Sequence, residues 1–161
     1  MPKNLFLALL CTIGILSSAC ETPLPTGDVR DEISGEYEAA VTASERTCAP
    51  GAYLPELADS VSVMVNPVTE MTFDLSYRLQ ENVSLDAYEV TVSPSGAFEH
   101  SFTLLFEDAE SIVTVSGTLR PDELTSTLLV IVQAGDGSER CRISVDLAGP
   151  HCVNEECSGA P

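Results

Sequence analysis

Residues 71–106 read MTFDLSYRLQ ENVSLDAYEV TVSPSGAFEH SFTLLF, and their apolar side chains fall mostly on every second position. Met71, Phe73, Leu75, Tyr77 and Leu79 share one parity. After a polar break at residues 81–84, Tyr88, Val90 and Val92 share the next, and after Pro94-Ser95-Gly96 so do Phe98, Phe102, Leu104 and Phe106. Successive side chains of an extended strand point to opposite faces, so a period of two marks half-buried strands, and turns this short join antiparallel neighbours.

The same pattern extends in both directions. Upstream, Ile33, Gly35, Tyr37, Ala39, Val41 and Ala43 share a face, followed by Val61, Val63 and Val65. Downstream come Val113, Val115 and Leu119, then residues 124–133 (LTSTLLVIVQ), then Cys141, Ile143, Val145 and Leu147 opposite Arg140, Arg142, Ser144 and Asp146. The run at 124–133 is apolar on both faces towards its end, which predicts a strand that is covered outside or forms a contact surface. Eight such runs predict an all-β domain, an eight-stranded antiparallel up-and-down meander. Closing it as a small barrel removes the two exposed edges; a two-sheet β-sandwich is the alternative. The one long connection is residues 47–59 (TCAPGAYLPELAD), where Pro55 is placed to open a helical turn.

The start of the chain has a different character. Lys3 is followed by an apolar run over residues 5–19, shorter than the roughly 20 residues that a membrane-spanning helix needs, and small residues precede Cys20. Residues 1–19 therefore read as a cleaved signal peptide. The residues Leu16, Ser17, Ser18, Ala19 and Cys20 resemble the lipobox of bacterial lipoproteins, with Leu16 one place ahead of the family's aliphatic position and Ser17 standing in it. The resemblance implies a lipid on Cys20 and a protein anchored in the cell envelope. By resemblance to lipoprotein sorting in Gram-negative envelopes, Glu21 rather than Asp after the cysteine would permit delivery to the outer membrane. An ordinary signal released after Ala19 is the alternative. Residues 20–32 then form the lipidated N-terminus and a flexible tether, residues 33–149 the β-domain, and residues 150–161 a C-terminal tail.

Removing the signal also removes Lys3, the single lysine, and leaves six arginines against 25 acids. That field repels nucleic acid and anionic headgroups, and because the acids are scattered they read as a solvated surface. Cys11 leaves with the signal and Cys20 takes the lipid. Cys48, Cys141, Cys152 and Cys157 remain, an even number in an exported chain and hence two disulfides. Three pairings are possible. Cys48 with Cys141 and Cys152 with Cys157 is preferred, because alternating strands bring the end of the first run to the pole where the last begins. A competing reading of the tail makes His151, Cys152, Glu155, Glu156 and Cys157 metal ligands, although zinc sites favour closer cysteine pairs.

The layout, with Gly35-Glu36-Tyr37 opening the first strand and a long first loop before short ones, resembles lipocalin-type barrels. The chain has no tryptophan where that family carries Gly-x-Trp, so no binding residue is carried over. Nucleophile elbows, zinc-protease helices and phosphate loops are absent from the sequence, so neither an enzyme nor a cofactor or metal site is expected. Tyr37, Tyr77, Tyr88, His100 and Phe102 all fall on inward parity and are the candidates to line a ligand cavity. A filled interior with hydrogen-bonded polar groups is the competing arrangement. Two functions follow: a structural or protein-interaction lipoprotein, which binds an unknown protein partner, or a lipid-anchored carrier of a small apolar ligand.

Overall fold

Alternation says which side chains are inward but not which strands touch; the hydrogen-bond ladders decide that. The structure, a computed structural model, describes residues 28–106 and 109–152. Its strands are β1 (Gly35–Arg46), β2 (Ser60–Pro67), β3 (Thr72–Gln80), β4 (Val83–Thr91), β5 (Ala97–Leu105), β6 (Glu110–Leu119), β7 (Glu123–Gln133) and β8 (Glu139–Pro150). They form one antiparallel sheet in the order β4-β3-β2-β1-β8-β7-β6-β5. The sheet curls into a nearly closed barrel rather than a sandwich. Its two edges, β4 and β5, touch through a single bridge between Val92 and Phe98 beside their hairpin.

β1 carries the closure. Its first half pairs with β2, from Gly35 opposite Val65 to Ala40 opposite Ser60, and its second half with β8, from Ala40 opposite Ala148 to Arg46 opposite Ile143. At Gly149 the last strand runs so near β1 that a Cβ would lie 1.9 Å from the Glu38 carbonyl oxygen, a contact only glycine permits. The Cys48–Cys141 disulfide fastens the end of β1 to the start of β8, with Cα atoms 4.9 Å apart. The Cys152 amide donates to the Glu36 carbonyl at 2.7 Å at the opposite pole. Cys152 is itself disulfide-bonded, and Cys157 lies outside the described residues.

Inward positions of β2, β3, β6, β7 and β8 are buried as their parity requires, among them Val63, Phe73, Leu75, Val115, Leu128 and Val145. Several expectations need correction. An extra residue in β1 between Val41 and Ala43 flips the parity, so Ala43 is exposed while Ser44 and Arg46 take the face of Val145 and Ile143. Met71 is exposed because β3 begins one residue later, at Thr72. In β4 an extra residue falls between Ala87 and Val90, where Glu89 adopts a positive φ of 54°, and Tyr88 turns outward, 62% exposed. Pro55 opens no helix. The loop carbonyls of Ala52, Leu54 and Pro55 are instead gathered by the inward-turned Arg46 guanidinium at 3.1–3.4 Å.

The expected tether is partly structured as well. Val29–Asp31 forms a 3₁₀ turn capped by the Asp28 side chain, with Val29 buried and its amide bonded to the Pro94 carbonyl. Residues 1–27, including Cys20, lie outside the described residues. The outward apolar residues of β7, Leu129 and Ile131, are half-buried between β6 and β8, with Ile131 opposite both Ile112 and Arg142.

The Cys48–Cys141 link closes 93 residues of chain, so replacing both cysteines by serine should cost about 4 to 5 kcal/mol in the chain-entropy account. Urea melts of the double variant beside the parent check this. An unchanged midpoint would mean that the β1–β8 ladder alone holds the closure.

Candidate functional site

The five residues expected around a cavity are not brought together. Tyr37 lies at the pole where the chain enters and leaves the barrel, fully buried. Its hydroxyl meets the carbonyl oxygens of Ile33 and Arg120, each at 3.0 Å, and its ring stacks on His151 with centroids 4.5 Å apart. His151 is held in turn by Nδ1 at 2.8 Å from the Pro121 carbonyl oxygen and by a backbone bond to Asp122. Gly35 makes room for this ring: a Cβ there would stand 2.5 Å from His151 Nε2, at a φ of 135°. The pole is therefore plugged by an aromatic pair. Among the described residues no three His, Cys, Asp or Glu side chains gather as metal ligands; Glu155, Glu156 and Cys157 of the tail lie outside them.

Tyr77 occupies the middle of the lumen. It projects from β3, and its hydroxyl reaches Ser126 Oγ on β7 at 3.0 Å, so a hydrogen bond between side chains crosses the interior. Burial raises the pKa of Tyr77 to about 12, with the Ser126 hydrogen bond pulling the other way. Burial also raises that of Tyr37, reinforced by the Asp122 charge. One inward polar group has no such partner among the described residues: the Ser111 hydroxyl on β6, fully buried.

The remaining two candidates, His100 and Phe102, lie on β5, the edge strand. Phe98, next to the hairpin, is buried, but His100, Phe102 and Leu104 on the same face are only half-buried because β4 has parted from β5 beyond the single bridge. The His100 and Phe102 ring centroids are 6.0 Å apart. His100 thus stands at a gap in the wall rather than in a closed, hydrogen-bonded interior. At the far end of β5, Phe106 meets Tyr53 of the 47–59 loop edge-to-face at 5.3 Å. Beside it an open hollow of about 390 Å³ is lined by Leu105, Phe106, Ala109 and residues of the β7–β8 turn.

The chemically distinctive place is thus a seam in the wall, which the sequence reading did not contain. One signal for part of it was present: within LDAYEVTV, Leu85 and Ala87 sit on one parity and Val90 and Val92 on the other, which marks an inserted residue in β4. In comparison with known proteins, no family model, curated protein or solved structure matches the chain.

Two outcomes follow. Phe73→Ala, in a site 1% exposed, should cost about 3 to 5 kcal/mol, and Phe102→Ala, already half-wetted at the seam, about 1 to 2, as read by denaturant melts. Equal losses would mean that the seam is shut in solution. Tyr37 and Tyr77 hold their protons more tightly folded than unfolded. Their contribution is complete below about pH 10, the ordinary tyrosine value, and is lost as pH rises, for Tyr77 through about 12. Tyrosinate absorbance followed together with circular dichroism should show these two ionising with unfolding; ionisation in a still-folded barrel would contradict their burial.

Proposed function

We propose that this chain is an exported lipoprotein, anchored in the cell envelope through a lipid on Cys20, whose barrel is a non-catalytic structural or protein-interaction module. The observation that carries the module half is the Tyr77–Ser126 hydrogen bond across the lumen. A carrier needs that space for its ligand, whereas here protein side chains fill it and satisfy one another. The plugged pole at Tyr37 and His151 supports the same reading. The anchoring half rests on the sequence around Cys20, and Glu21 favours the outer membrane of a Gram-negative bacterium. The acid-rich surface argues against nucleic acid as a partner.

The second reading, a lipocalin-like carrier of a small apolar ligand, is favoured by one feature, the Ser111 hydroxyl without a partner among the described residues, which a bound molecule or a water would satisfy. Membrane fractionation and intact mass separate the alternatives at the N-terminus: Cys20→Ala should lose the lipid mass and leave the membrane fraction. If parent and variant fractionate alike with no lipid-derived mass, the anchor is wrong. Native mass spectrometry of the protein from its own host should find no small molecule; a stoichiometric one would replace the module with the carrier.

A further inference from the structure

Among the described residues no strand pairs with the outer edge of β5 beyond the Val92–Phe98 bridge. Its ladder with β6 runs without a bulge from Ala97 opposite Thr118 to Leu105 opposite Glu110, and residues 100–106 (HSFTLLF) contain no acidic or strongly basic residue, no proline and no glycine. Edge strands are ordinarily blunted by a bulge, a proline or an inward charge, because their unpaired amides and carbonyls template another strand. β4, the opposite edge, has such a device in its Tyr88–Glu89 bulge, and β5 has none. Among the described residues the exposed large apolar side chains are Val83 and Tyr88 on β4, Leu105 on β5, and Val68 and Met71 in the turn whose Met71 carbonyl receives the Val92 amide. All of them border the seam or the end of β4.

The charge around this edge has one sign. Between Arg78 and Arg120 the chain has no lysine or arginine, while Glu81 precedes β4, Asp86 and Glu89 lie on β4, Glu99 on β5 and Glu110 at the start of β6. A second copy of the chain would bring the same acidic edge and be repelled, so the complementary occupant is cationic.

We propose that the free edge of β5 is a strand-addition site for an extended peptide of a partner protein in which apolar and basic residues alternate. Main-chain hydrogen bonds to β5 would extend the sheet. The peptide's apolar side chains would cover the half-buried rings of His100 and Phe102, and its basic ones would face the acids outside. This deepens the interaction-module reading and rests on it.

The probe is a decapeptide of alternating lysine and valine added to the full expressed chain, read by residue-resolved amide hydrogen exchange. Protection of residues 100–105 by about tenfold or more is expected, as for amides drawn into a ladder. An alternating glutamate–valine peptide, and the lysine–valine peptide N-methylated along one edge, should give none. Leu105→Lys, at a side chain 80% exposed and outside the core, should weaken binding by about tenfold through repulsion and lost apolar contact. Equal binding of the N-methylated peptide, protection confined to other strands, or no binding at all would overturn the proposal. The first two outcomes leave the interaction-module reading standing. Concentration-dependent protection of β5 without any peptide would also overturn it, since a second copy would then hold the edge. A small molecule co-purifying in the lumen would instead sink the module reading itself.

Discussion

Everything in this barrel depends on the first strand being held by the last. β1 divides its length between β2 and β8, and the two contacts differ in kind: β2 follows it in sequence, whereas β8 comes from the other end of the domain. A ladder between such distant segments is costly in chain entropy, and it is secured at both poles. The Cys48–Cys141 disulfide sits at one, and the Tyr37–His151 stack with the Cys152–Glu36 backbone bond at the other. Glycine at position 149 lets the strands come near enough for the arrangement to close.

With the termini joined, the gap of the barrel moves to the middle of the chain. β4 and β5 are neighbours in sequence and would be expected to pair along their length, yet they share one bridge. β4 is bent by its extra residue at Tyr88–Glu89, while the start of β5 is drawn against β6 at Gly96, whose φ is 86° and where a Cβ would lie 1.9 Å from the Leu119 carbonyl oxygen. The core does not suffer, because the lumen is filled from the other strands together with Leu85, Ala87 and Val90 of β4 and Phe98 of β5, and is spanned by Tyr77 and Ser126. The cost is confined to β5, whose inward side chains beyond Phe98 stay half-wetted.

How much of this is legible in the sequence depends on what each signal encodes. Alternation reports faces, so the eight strands and most of the core, from Val61 to Leu147, were readable. Cysteine position along alternating strands reports poles, so the Cys48–Cys141 pairing was readable too. Neither reports where one residue has been added to a strand. The insertions in β1 and β4 therefore moved Ala43 and Tyr88 to the outside and brought Arg46 in, against simple parity. Nor does alternation encode a missing partner. His100 and Phe102 have the right parity for a lumen and stand instead at its open wall, a fact carried by the strand order alone.

The β1–β8 ladder also has a consequence in time. A chain that emerges N-terminus first can zip β2, β3 and β4 into one meander and β5, β6 and β7 into another from local contacts. The long-range pairing that joins the halves waits for the last strand. Topologies dominated by such distant pairings fold slowly for their size. During that interval β1 and β7 each have an uncovered edge, so the nascent domain presents three bare strands where the finished one keeps β5. Completion of β8 is thus the step that turns an assembly of sticky hairpins into a protein with one directed opening.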